Sequence, residues 1–260
     1  LDDWNRRARY EPLAEIFQIK GSSECAYGIG STDEECAFEQ FLPVCVEGES
    51  IGCISATSMA RDGLKIGLRI EDELGINPLK YGFIGATDTH QSNPGDAEEY
   101  DFRGKHSNET PAIRRMNPTV KARSPMFRNP GGLAGVWAAE NTRDALFNSM
   151  KRREVYATTG TRIRLRFFAG VGFSNEMIYS PDGISLAYSN GVPMGSELEL
   201  QNDTEPSFMI IAQKDPMSVP LDRVQVIKGW SAGDEVHEKI IDIACSDGRM
   251  PDEHGRCKDL

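Results

Sequence analysis

The chain has 260 residues, 39 % of them hydrophobic and 27 % charged, which is enough apolar material for one large domain or two modest ones. Its 29 basic residues against 40 acidic ones leave a net charge of −11, which argues against a nucleic-acid partner and against attraction to anionic lipid. No run approaches the ~18 apolar residues of a membrane-spanning helix. The expectation is no membrane insertion and a small-molecule substrate.

Residues 5–9 read as the end of a polar helix. Leu13 to Ile19 is a short, mostly apolar run that predicts a buried strand, and it stops at the turn-rich Lys20-Gly21-Ser22-Ser23. From Glu24 to Ser55 periodicity is weak, so this stretch needs pinning, and Cys25, Cys36, Cys45 and Cys53 are placed to pin it. Thr57 to Leu74 predicts a helix capped by Thr57 or Ser58, with Leu64, Ile66, Leu68, Ile70 and Leu74 as its apolar face and Gly75 as its stop. The uninterrupted apolar run Tyr81 to Ala86 predicts a strand covered on both faces. Strand, helix, strand in that order predicts a parallel α/β sheet or barrel.

Gln91 to Pro130 reads as a long polar connection, and the glycine-rich Pro130 to Gly135 as a tight turn. A second helix is expected from about Asn141 to Arg153, capped by Asn141 or Thr142, with Lys151-Arg152-Arg153 suited to its negative C-terminal end. Val155 to Thr158 reads as a strand. Beyond Gly160 the texture changes: Arg162 to Phe167 alternates with period two, and Phe208 to Ala212 and Arg223 to Ile227 look similar. This predicts an antiparallel β-rich extension over 161–260, with the boundary near residue 160.

The six cysteines form no C-x-x-C pair and no zinc-finger spacing. Cys245 and Cys257 bracket a polar, turn-rich stretch, and a disulfide there would close a loop of about a dozen residues, worth ~3 kcal/mol. The pairing of the other four stays open. An even number of cysteines points to an oxidising compartment, periplasmic or secreted; free thiols in a cytoplasmic protein are the alternative.

The sharpest chemical feature is Gly85-Ala86-Thr87-Asp88-Thr89-His90, directly after the buried strand. In parallel α/β folds sites gather at the carboxyl ends of strands. Asp88 and His90 stand two apart, so an extended segment turns both to one side, where carboxylate and imidazole can share zinc, manganese or iron. A hydrogen-bonded structural pair is the plainer reading. His106 lies in the following loop and can fold back over the segment, while His237 and His254 read as surface residues. If the Leu13–Ile19 strand neighbours Tyr81–Ala86, then Glu15, Lys20 and Glu24 reach the same face. Lys20 would then hold an anionic substrate, and Glu24 would bind metal or move protons. A solvated charge at a strand end is the alternative for each. There is no G-x-S-x-G elbow, phosphate loop or dinucleotide fingerprint.

Taken together, several collinear motifs are familiar: residues 15–24 (EIFQIKGSSE), Asp33-Glu34-Glu35, residues 83–90 (FIGATDTH), Gly104-Lys105-His106, residues 132–143 (GLAGVWAAENTR) and residues 151–160 (KRREVYATTG). In that order they resemble the bacterial family called domain of unknown function 3604, related to the polymerase and histidinol phosphatase (PHP) superfamily of metal-dependent hydrolases. The resemblance implies an α/β fold in which residues 1–160 are the C-terminal part of a distorted β/α (PHP-like) barrel, followed by the antiparallel β-rich extension over 161–260. It implies two or three divalent metal ions in the complete protein, with Asp88 and His90 matching the superfamily's last ligand motif. Glu15 and Lys20 would bind substrate, with Lys20, Glu24 and His106 lining the catalytic site. The implied reaction is attack of metal-activated water on a phosphoester or related ester. Such proteins open with a His-x-His strand, which this chain lacks. The chain is therefore expected to be the C-terminal portion of a longer protein and inactive alone. A degenerate barrel serving as a binding or assembly module is the alternative, and a transferase or lyase on the same scaffold a third reading.

Overall fold

The computed structural model describes residues 2–40, 42–55, 57–90, 92–98, 100, 129–201 and 204–257. The chain enters through a polar, exposed helix, α1 (Asp2–Tyr10), and turns into the strand β1 (Leu13–Gln18). Ile16, Phe17 and Ile19 are buried there, as their continuous apolar run requires. A two-residue strand, β2 (Gly21–Ser22), folds back on Phe17 and Gln18. Two further short strands, β3 (Ala26–Tyr27) and β4 (Gly30–Ser31), and a 3-10 turn at Glu34–Ala37 follow. Disulfides Cys25–Cys36 and Cys45–Cys53 staple this irregular stretch, and Cys245–Cys257 closes the predicted C-terminal loop. Spans this short contribute about 2.5–3 kcal/mol each by restricting the unfolded chain. Three disulfides point to an oxidising compartment, periplasmic or extracellular. Among the described residues no helix is long and apolar enough to cross a membrane.

The next helix, α2 (Ala60–Leu74), begins three residues later than its sequence suggests and lacks a side-chain cap. Ser58 instead accepts a hydrogen bond from Ser55 N–H. The carbonyls of Ser23 and Glu24 take the N–H groups of Ala60 and Arg61, so the chain leaving β2 caps the helix with its backbone. Gly75 ends it in the left-handed conformation, as expected. The burial of α2 departs from the amphipathic reading. Asp62, Lys65 and Gly67 are its buried residues, while Leu74 is half exposed and Leu64, Ile66 and Leu68 line surface clefts.

The strand β5 (Gly82–Gly85) then pairs in parallel with β1, in the register Leu13↔Gly82 to Phe17↔Gly85. This is the strand–helix–strand unit expected from the sequence. The glycine-rich stretch after Pro130 is not a tight turn: Leu133–Val136 forms β6, antiparallel to β7 (Val155–Thr158). Its glycines serve close approach. A Cβ on Gly85 would meet the carbonyls of Leu133 and Thr158 at 2.8 and 2.9 Å, so the β6–β7 pair lies directly against β5. Between the two strands runs α3 (Arg143–Lys151), capped by the Thr142 hydroxyl on Ala145 N–H.

The remaining chain is β-rich. The strand β8 (Arg164–Gly170) is central in a sheet between β10 (Ser207–Gln213) and β9 (Gly191–Pro193). Two helices, α4 (Asn175–Tyr179) and α5 (Gly183–Asn190), interrupt it without a clear sequence signal. Phe168, Ala187 and Met209 form its buried core. A long hairpin, β11 (Arg223–Ala232) with β12 (Glu235–Cys245), packs on α2. The molecule is thus a mixed α/β assembly of small sheets with a β-rich C-terminal part, and no closed barrel forms among the described residues. The two sides of residue 160 are joined by specific contacts: Trp137 Nε1–H donates to Leu165 O at 2.8 Å, and the Arg166 guanidinium lies 3.6 Å above the Trp137 ring.

Candidate functional site

The parallel pairing of β1 and β5 brings the residues that follow each strand to one end of the sheet. Backbone bonds hold this end together: Ile19 N–H to Thr87 O, Asn129 N–H to Ile19 O and Gly132 N–H to Ala86 O. Gly131 is obligatory there, because its φ is +90° and a Cβ would fall 2.6 Å from the Thr87 Cα. Asn129, which sequence reading missed, accepts from Gly131 N–H at 2.6 Å and donates to Glu39 at 3.2 Å, fixing the floor of the site. Its only sequence signal is an Asn before Pro-Gly-Gly.

Asp88 and His90 lie side by side, though through left-handed backbone rather than the extended segment expected from their spacing. The imidazole Nε2 is 2.7 Å from Asp88 Oδ1 in a charge-assisted hydrogen bond. The intervening Thr89 is buried, while both Asp88 and His90 reach solvent. Asp88, His90 and Ser92 all have positive φ, at 49°, 60° and 56°. Alternate left-handed residues without glycine are costly, and such strain concentrates at functional loops.

Glu15 and Lys20 lie within electrostatic reach of Asp88. The Glu15 carboxyl is pushed above its usual range by partial loss of hydration, with Lys20 opposing and the Asp88 charge adding to the rise. The Lys20 ammonium is pulled below its usual range by the same loss of hydration, against the attraction of Glu15 and Asp88. Lys20 also donates to the Ser23 hydroxyl. Glu15, Lys20 and Asp88 therefore lie within electrostatic reach of one another, and Asp88 touches His90.

Glu24 sits elsewhere. Its carboxylate takes Arg61 Nη2 at 2.5 Å, within a charge cluster on the buried side of α2. Arg61 also reaches Asp33 at 2.9 Å and Glu238 at 3.6 Å, and Lys65 holds Asp62 at 3.0 Å and Glu238 at 3.3 Å. Neither Arg61, Lys65 nor Glu238 carried a distinguishing sequence signal. His106 lies outside the described residues. His237 stacks on Trp230 and is partly exposed, and His254 is exposed on the C-terminal loop, in keeping with their reading as surface residues.

Over residues 1–260 the chain matches the protein family described as "Protein of unknown function (DUF3604)". It belongs to that family. No curated protein and no solved structure shows a significant similarity to it.

For this DUF3604 chain the donors can be weighed against a divalent cation. Carboxylate and imidazole suit zinc, manganese or iron, and two donors on one such ion stand roughly 3 Å apart, near the observed 2.7 Å. They fill two positions of at least four. Among the described residues, the one three-member group of possible ligands is Cys25, Asp33 and Cys36, and its two sulfurs are joined in a disulfide, which removes them as ligands. The Asp88–His90 pair fits a metal in donor type and spacing, and needs further donors from outside the described residues.

Proposed function

We propose that this DUF3604 chain supplies part of the active site of a metal-dependent hydrolase acting on phosphoesters or related esters. The observation that carries the reading is the direct contact of Asp88 with His90 just past β5, with Lys20 just past the parallel strand β1 and both Lys20 and Glu15 within electrostatic reach of Asp88. Asp88 and His90 would hold the cation, whose contribution is an activated water and electrophilic pull on the ester oxygen. The Asp88 charge helps to raise the Glu15 carboxyl, and like charges within reach of each other favour a cation near them. Lys20, short of part of its hydration, is placed to bind the anionic group of the substrate. Groups outside the described residues, His106 among the candidates, complete the coordination. Zinc, manganese or iron is the expected class of ion, periplasmic or secreted the expected location, and a PHP-like barrel the expected full architecture.

Elemental analysis of natively purified protein tests this. The expected result is one or more equivalents of a transition metal, lost in Asp88→Ala and in His90→Ala with the fold retained, together with turnover in a screen of phosphate, sulfate and carboxylate esters. Unchanged metal content and activity in both variants would overturn the proposal. One observation favours a second reading, a non-catalytic binding module: only two donors meet among the described residues. Metal-free protein with no turnover would support that reading instead.

A further inference from the structure

We propose that the Cys45–Cys53 disulfide is a thiol-exchange site: a dithiol opens it while the other two disulfides stay closed, and its state sets how firmly part of the cleft at Lys20 is held. That cleft is small, about 100 Å³, and Lys20, Ser22 and Ser23 line it together with Leu42, Cys53 and Ile54.

Access separates this disulfide from the others. Cys25 and Cys36 are 5 % and 2 % exposed and Cys257 is 6 % exposed, so each of the other two bonds has at least one cysteine shut away from solvent. Neither Cys45 nor Cys53 is buried. Every residue between them, from Val46 to Gly52, is exposed, Ile51 at 92 %. Exchange requires a thiolate to reach a sulfur, so the accessible disulfide is the one that opens first.

What the bond holds is also distinct. The ends of its segment are fastened by other means: Gln40 Nε2 donates to the Cys25 carbonyl at 2.8 Å, and Ile54 packs with Ala26 and Met59. At the neck of the loop Cys45 N–H bonds Ile54 O at 2.9 Å and Ile54 N–H bonds Pro43 O at 2.8 Å. Opening the disulfide leaves these anchors in place, so the fold persists while Leu42 and Cys53 gain freedom in the cleft that Lys20 lines. The step balances. A thiolate of the dithiol bonds one sulfur, the S–S bond breaks, and the other cysteine leaves as a thiolate that takes up a proton. The second thiol of the reagent then displaces the first, leaving two protein thiols and an oxidised reagent. The exchange depends on neither metal nor ester hydrolysis; its bearing on catalysis rests on Lys20 binding substrate as proposed.

The test is graded reduction of the 260-residue chain with dithiothreitol, no metal added, followed by alkylation with iodoacetamide and peptide mass spectrometry. Cys45 and Cys53 should be alkylated at a dithiol concentration about tenfold or more below the one that opens either other disulfide, with the near-ultraviolet circular dichroism of the folded chain retained. At that concentration the ¹³C-methyl resonance of methylated Lys20 should move, while lysines that do not line the cleft stay put. The double variant Cys45→Ser, Cys53→Ser should fold and show the moved Lys20 resonance with no reductant present. Opening of all three disulfides together, opening of another one first, or loss of the fold in the double variant would overturn the exchange site. A Lys20 resonance blind to reduction and to the double variant would overturn its link to the cleft. Because none of these readouts involves metal or turnover, a failed ester screen leaves them untouched.

Discussion

At the scale of single residues, the geometry makes Glu15, Lys20 and Asp88 one electrostatic unit. Lys20 titrates low because it has lost hydration, and Glu15 and Asp88 hold it from falling further. Glu15→Gln removes one of those supports, so the Lys20 titration should move further down. Asp88→Asn should do the same, whereas Glu24→Gln, whose carboxylate belongs to Arg61, should leave it unmoved. NMR titration of ¹³C-methylated lysines reads this directly. A Lys20 curve indifferent to Glu15 would show that the two do not share a site.

At the scale of elements, α2 is organised by charge. Its buried side carries Asp62 and Lys65, with Arg61 beside them, met by Asp33 from the stapled N-terminal loop and Glu238 from β12. Removing one partner of such a set strands the others away from water, which costs about 3–5 kcal/mol. Arg61→Met should therefore destabilise by about that amount in urea unfolding, leaving the buried Asp33 without its guanidinium. Arg61→Lys should recover part of the loss. This cluster also marks where sequence reading ran out. The β1, β5 and β7 strands were legible because a continuous apolar run has few other uses, and Gly75 announced the end of α2. The place of Asp88 and His90 followed from their position after a buried strand. Glu24 looked like a site residue because it falls just past β1. Only the tertiary arrival of Arg61 shows where its carboxylate goes. The β6 strand was hidden because its glycines, required by contact with β5, look like turn residues when read locally. The helices α4 and α5 are short and weakly amphipathic, and their stability comes from packing on Phe168 and Met209.

At the scale of the whole molecule, the C-terminal loop is clamped as well as cross-linked. Asp242 is fully buried and accepts from Cys257 N–H at 2.7 Å, with Arg256 at 3.2 Å and Arg223 at 3.5 Å. Burial opposes its ionisation, but the hydrogen bonds from Cys257 N–H and Arg256, with the Arg256 charge, outweigh it and hold the carboxyl below its usual range. With the folded value depressed, its contribution to stability is fully present above the unfolded value near ~3.9 and is lost as pH falls through the folded value. Thermal melts should thus show a steep acid limb below about pH 4, flattened in Asp242→Asn, which gives up the stability at neutral pH instead. An acid limb of equal slope in that variant would assign the titration to other carboxylates.

The ion pairs of Glu238 have one more consequence. Its carboxylate accepts from the Ser31 hydroxyl, 207 positions earlier, and meets Arg61 and Lys65. Synthesis runs from Ser31 towards Glu238, so α2 waits for this last carboxylate with only Glu24, Asp33 and Asp62 to meet Arg61 and Lys65. Until β12 emerges, the thiols of Cys25, Cys36, Cys45 and Cys53 belong to a loose segment open to an oxidant or an isomerase. In that order closure comes last, with the final hairpin acting as the latch.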